Sequence, residues 1–174
     1  MTFFSPLTTH YSLKPMQALQ LDAINQAVAV RDVPVPTPGP GEILVRLHAA
    51  ALNHRDVFIQ QGKYAGIKLP CTLGSDGAGE VAAHGPDVPA DAPAVGARVL
   101  INPGLRWGDN PRAQARDFVV LGMPDPGTFA EYISLPARYI RPLPAHLGGL
   151  ATGLFIAGPL ALVGLRKQLT HSEQ

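Results

Sequence analysis

Two short stretches of this 174-residue chain gather side chains that could do chemistry: Asn53-His54-Arg55-Asp56 and Gly74-Ser75-Asp76-Gly77-Ala78-Gly79. Between them they offer an amide, an imidazole, a guanidinium, a hydroxyl and two carboxylates, groups that donate, accept or carry protons. Each also has an ordinary structural use. Asn53 is either an active-site amide or a residue that bonds backbone at the end of a strand, as Asn often does near turns. Asp56 reads first as a helix-start carboxylate, favoured by the positive end of the helix dipole, and second as a base in the substrate or cofactor cleft. Ser75 and Asp76 divide between lining a pocket and bonding backbone where a strand turns. His54 either reaches a ligand or is a solvated surface residue, and His48, on the outward face of a strand, is assigned nothing. The glycines run Gly-x-x-Gly-x-Gly, the wrong order for a phosphate loop, with no helix following to present its N-terminus. They read as a strand to which other backbone or a ligand comes close.

The elements that must hold these residues are mostly strands. From Glu42 to His48 the chain alternates, with Ile43, Val45 and Leu47 on one face and Leu44, Arg46 and His48 on the other, the period of a strand in a curved sheet. Pro34, Pro36, Pro38 and Pro40 cannot donate to a ladder, so the run before that strand is an extended loop. Arg55 to Gln61 carries a short helical pattern that Gly62 ends. Strands are also expected over Thr128–Leu135 and Tyr139–Arg141. Ahead of both lies an insertion, Gly104–Gly127, rich in Arg, Asp and Pro. Eighteen Gly and eighteen Pro are too many for a helical bundle, and 46% hydrophobic against 16% charged residues is too apolar for a disordered chain. A net charge of +1 without a basic block gives no reason to expect nucleic acid. The single cysteine, Cys71, excludes an internal disulfide and a cysteine zinc cluster, and a reducing, cytoplasmic setting is the default.

A series of motifs recurs in a telling order: Met16-Gln17-Ala18-Leu19, Val33-Pro34-Val35-Pro36-Thr37-Pro38-Gly39-Pro40-Gly41-Glu42, the Asn53 stretch, Gly62-Lys63-Tyr64, Leu69-Pro70-Cys71-Thr72-Leu73-Gly74, Gly96-Ala97-Arg98-Val99, Gly127-Thr128-Phe129-Ala130-Glu131-Tyr132 and Leu143-Pro144-Ala145. Singly they are weak. Together they resemble the active-site half of the medium-chain dehydrogenase/reductase superfamily, the alcohol dehydrogenases and quinone reductases. The resemblance implies a mainly β fold, a GroES-like β-barrel with short helices, over residues 16–146. Residues 1–15 are then an extension and residues 147–174 an apolar helix, the remnant of an interdomain helix.

The resemblance also implies what has changed. Zinc-dependent relatives place a Cys ligand where this chain has Asn53, and read Gly-His-Glu where it has Gly74-Ser75-Asp76. Zinc takes thiolate, imidazole or carboxylate, so of these positions Asp76 alone could serve, and no zinc is expected. Arg55 stands at the place of a proton-relay Ser or Thr, which puts that relay in doubt. Tyr64 resembles a cleft tyrosine of zinc-free quinone reductases, with plain packing as the alternative. The insertion occupies the position of a structural-zinc lobe but lacks cysteine; it reads as a surface loop pinned by Trp107 and Phe118, or as a dimer contact. The expected chemistry is hydride transfer from NADPH or NADH to a quinone, enone or other carbonyl substrate, with the Asn53 amide or Tyr64 phenol meeting charge that develops on oxygen.

In such relatives the nucleotide binds a Rossmann domain marked by Gly-x-Gly-x-x-Gly, which this sequence does not contain. The expectation is a partial reductase, inactive alone, whose partner is that missing domain or a second copy in a homodimer. Residues 147–165 are uncharged and followed by Arg166-Lys167, so by hydropathy they also qualify as a membrane-spanning helix. Five glycines and Pro159 weigh against that reading for an isolated helix. A non-catalytic GroES-like binding or assembly module is the rival of another class.

Overall fold

A computed structural model describes residues 14–144. The expected extension (1–15, save its last two residues) and the apolar helix (147–174, with the candidate span 147–165) therefore lie outside the described residues. Among the described residues no helix is long and apolar enough to cross a membrane.

The chain is mainly β, as expected. In order come β1 (Met16–Leu21), β2 (Ala29–Val33), β3 (Glu42–Ala51), α1 (His54–Gln60), β4 (Cys71–Thr72), β5 (Asp76–His84), β6 (Arg98–Ile101), β7 (Gly104–Leu105), β8 (Val119–Val120), β9 (Tyr132–Pro136) and β10 (Ile140–Pro142). Five strands form one antiparallel sheet in the order β10-β6-β5-β3-β9. Its two outer strands, β9 and β10, are joined by only the 3-10 turn Ala137–Tyr139. So short a link between opposite edges requires the sheet to curl, and it forms a half-barrel. A three-stranded sheet, β2-β1-β4, stands beside it, tied in where Ala18 bridges Ala130. β7 and β8 make a small ribbon at the two ends of the insertion.

The alternation read for β3 is modified by bulges. Ile43 and Val45 join the main core with Val81, Val99, Leu121 and Ile133, but Leu44, assigned to the opposite face, is fully buried too. The register with β5 shifts between Leu44 and Val45 and again between Leu47 and Ala49, and such shifts bend the strand and increase its twist. Pro34 to Gly39 is irregular, as four prolines require. The strand expected over Thr128–Leu135 begins only at Tyr132, because Gly127, Thr128 and Phe129 donate their N–H groups to Thr72, Gly74 and Leu73 instead. Tyr139 closes the 3-10 turn rather than opening a strand. The insertion is pinned as expected: Trp107 and Phe118 meet edge to face at 5.1 Å.

Candidate active site

The site forms where β3 ends, α1 begins and β5 begins. At Asn53 the backbone leaves β3 in an extended conformation (φ −119, ψ 151) and turns into α1. The Asp56 carboxylate reaches back to accept the Asn53 N–H at 2.8 Å, which satisfies one of the donors a helix start leaves open. Its other oxygen accepts the Gly74 N–H at 3.2 Å, so one buried carboxylate joins the helix to the segment leading into β5. Gly62 (φ +71) stops the helix after two turns, and Ile59 anchors it in a small core with Leu21, Cys71, Leu73 and Met123.

The floor of the site is backbone packed on backbone. Every residue from Cys71 to Gly79 is buried. A Cβ added at Gly79 would run into the Arg46 carbonyl oxygen, and one at Gly127 into the Gly74 and Leu73 carbonyl oxygens. Thr128 adds a hydroxyl donated to the Asp76 carbonyl at 2.8 Å.

On this floor Asn53 and Asp76 face each other. β3 and β5 pair with Ala51 opposite Asp76, and the Asn53 amide Nδ2 donates to Asp76 Oδ2 at 2.7 Å. Burial pushes the Asp76 carboxyl above the ordinary aspartate range; the Asn53 hydrogen bond opposes this, and the nearby Asp56 charge adds to it. Beside them Ser75 is buried and donates its hydroxyl to the Leu121 carbonyl at 2.9 Å.

Arg55 is the member whose part the sequence did not disclose. Its guanidinium donates to the carbonyls of Leu121 (2.8 Å), Val120 (3.1 Å) and Met123 (2.6 Å), and to Ser75 Oγ at 3.4 Å. It lies 4.7 Å from the centre of the Tyr64 ring, within cation–π range, and so links Tyr64 to the site. A signal was available: a cation in the first turn of a helix opposes the dipole and needs a tertiary reason to be there. Burial also raises the Cys71 thiol, with the Arg55 charge acting in the opposite sense.

The structure thus draws Asn53, Asp56, Ser75 and Asp76 into one cluster and attaches Tyr64 through Arg55. His54 is exposed on α1 and stacks on Phe58, with ring centres 4.7 Å apart. Nothing local in the sequence marks Thr128, because its hydroxyl bond to the Asp76 backbone depends on a contact 52 residues away.

Comparison with known proteins places the cluster in a family setting. Residues 39–145 match the model of the alcohol dehydrogenase GroES-like domain. The zinc-type alcohol dehydrogenase-like protein YogA of Leptosphaeria maculans is 34% identical over 151 residues, 78% of this chain and 40% of the relative. Prostaglandin reductase-3 of Bos taurus is 33% identical over 138 residues, 79% of this chain and 30% of the relative. The crystal structure of an NAD-dependent alcohol dehydrogenase superposes with a TM-score of 0.69 at 41% identity, covering 76% of this chain and 41% of that one. The chain therefore spans well under half the length of the relatives it matches.

The groups such relatives suggest fit these residues poorly. Among the described residues no three of His, Cys, Asp and Glu gather to hold a metal. The Asn53 amide nitrogen and the Ser75 hydroxyl already donate to protein oxygens, and a guanidinium stands against Ser75. Nor do the described residues cradle a dinucleotide phosphate: the Gly74–Gly79 backbone is buried against its neighbours, and Asp56 closes the start of α1.

Proposed function

The chain belongs to the alcohol dehydrogenase GroES-like domain family, and from that premise we propose that residues 16–146 are the substrate-facing catalytic domain of a zinc-independent, NAD(P)H-dependent oxidoreductase. In this reading residues 1–15 are an extension and 147–174 belong to an interdomain helix. The acceptor is a quinone, an enone or another carbonyl compound. A nicotinamide held by residues other than those described would supply the hydride. This chain's own residues bind and orient the acceptor, exclude water and meet the negative charge that develops on its oxygen.

The observation that carries the reading is the 2.7 Å hydrogen bond from Asn53 to Asp76. A primary amide has two N–H groups. One is spent on Asp76, which fixes the amide plane, and the second is the donor that this reading assigns to the acceptor's oxygen. The Tyr64 phenol, held under the Arg55 guanidinium, is a second neutral donor. An activated acceptor needs only such donors, whereas a simple alcohol needs stronger stabilisation of its alkoxide.

The test is a hybrid in which this segment replaces its equivalent in a complete zinc-free reductase of the family. It should reduce quinones or enones, and Asn53→Ala should lower kcat by about a hundredfold or more, the usual cost of losing one such donor. Cofactor binding should change far less. An Asn53→Ala hybrid that folds and turns over at the parent rate would remove Asn53 from the mechanism.

A further inference from the structure

Arg55 combines features that a structural cross-link does not require. Its side chain is partly buried, yet it has no carboxylate partner: the ion pairs found among the described residues join Arg31 to Asp22 and Arg106 to Asp125. The nearest carboxylate in sequence, Asp56, is committed to the Asn53 and Gly74 N–H groups. The guanidinium is held by neutral oxygens alone, three carbonyls and a hydroxyl, and its Nε–H is buried without a partner among the described residues. Withdrawing a cation from water with no counter-charge is costly. Carbonyl dipoles offset the cost of burial but do not neutralise the charge, which acts on the nearby Cys71 thiol.

The surroundings are shaped to keep it there. Gly122 takes φ +96, and a Cβ at that position would come within 3.2 Å of Arg55 Nη1 and 2.9 Å of the Gly74 carbonyl oxygen. Ser75, which donates to Leu121, turns its own oxygen toward the guanidinium. The exposed Tyr64 ring stands over the guanidinium, its centre 4.7 Å from the guanidinium carbon.

We propose that Arg55 is the positioning residue of this site and the fixed positive charge of its cleft: it seats Tyr64 and the Val119–Met123 segment against β5, and it favours an acceptor whose oxygen is, or becomes, anionic. The proposal rests on the reductase reading for its substrate class. Its physical content, a preference for negative charge set by one guanidinium, is measurable on the full chain without turnover.

Two probes of the same skeleton separate charge from shape: a naphthoquinone hydroxylated on its quinone ring, a vinylogous acid that is anionic at neutral pH, and its neutral methyl ether. Binding of both to the full chain is followed by Tyr64 ring signals in NMR, with Tyr64→Phe identifying the resonance. The wild-type chain should bind the anion about tenfold more tightly than the ether, the effect of one partly screened charge at close range. Arg55→Met should abolish that preference, so that the anion and the ether bind alike. Arg55→Lys keeps a charge but loses the planar fork, and should keep most of the preference while shifting the Tyr64 signals. It also serves where Arg55→Met fails to fold. Equal affinity for the two probes in the wild type, or a preference that survives Arg55→Met or disappears in a folded Arg55→Lys, overturns the role of Arg55 and leaves the cleft reading standing. Failure of the wild-type chain to bind either probe overturns both.

Discussion

A carboxylate kept from water holds its proton more tightly, and Asp76 is kept so by burial, with Asp56 adding to the effect and the Asn53 amide opposing it. Because its folded pKa is raised, the favourable contribution is complete below the ordinary aspartate range and is lost as pH rises through the folded value. Above its folded value the ionised Asp76 is therefore a liability. Asp76→Asn, which can still accept from Asn53, should melt at a higher temperature than the wild type at pH 7, and the gap should close as pH falls toward about 4. Melting curves across that interval decide it; a wild type that is the more stable protein at pH 7 contradicts the assignment. Thr128→Val keeps the shape and removes the hydroxyl bonded to the Asp76 carbonyl, leaving an acceptor short of a partner. It should cost about 1–3 kcal/mol by chemical denaturation. At this scale the sequence showed which side chains were present but not whom they meet. Asn53 and Asp76 were both visible as candidates, yet their bond spans 23 positions and depends on the bulged register of β3 with β5. The cap that Asp56 provides at the start of α1 was legible because capping is a local interaction.

Among the elements, glycine substitutions separate close approach from backbone conformation. Gly79 lies in β5 with no room for a Cβ beside the Arg46 carbonyl. Gly79→Ala must push β3 and β5 apart, and should cost about 3 kcal/mol, the upper end of overpacking. Gly66 has φ +68 with nothing within 4 Å of a built Cβ, so Gly66→Ala should cost only about 1–2 kcal/mol, the strain of a left-handed alanine. Urea titration of both checks the ordering, and equal costs would mean that β5 yields where its backbone is most crowded. The helix at 54–60, the proline loop and β3 were legible because each has a local cause: a cap and a terminating glycine, missing donors, and period two. The exchange of ladder bonds by Gly127–Phe129 had no local cause, since its acceptors are Thr72, Leu73 and Gly74.

For the molecule as a whole, the family was legible from the order of its motifs, and the expected mainly β fold appears as a curled half-barrel. Two outcomes concern what the whole chain binds. After exposure to zinc and dialysis, elemental analysis should find well under one zinc per chain, because one site position offers an amide and another a hydroxyl, both already bonded. One tightly held zinc would overturn the zinc-independent reading. Calorimetric titration with NADH or NADPH should show no saturable binding at micromolar concentration, since the glycine-rich segment is a buried strand with no anion-binding helix after it. A micromolar dissociation constant would place a nucleotide site on this chain that its described residues do not provide.

The curl of the sheet has a consequence for how the protein is made. Strand β3 lies between β5 and β9, with Glu42 opposite Pro136, so one of its two ladders waits for a segment that emerges from the ribosome much later. At ordinary elongation rates that interval is on the order of ten seconds. Throughout it the run Ile43-Leu44-Val45, fully buried in the finished protein, has one edge unpaired. Non-local pairing of this kind is slow even in a complete chain. The nascent polypeptide is therefore most vulnerable to sticking to its neighbours before Tyr132–Pro136 has been synthesised, and chaperone demand should be concentrated in that window.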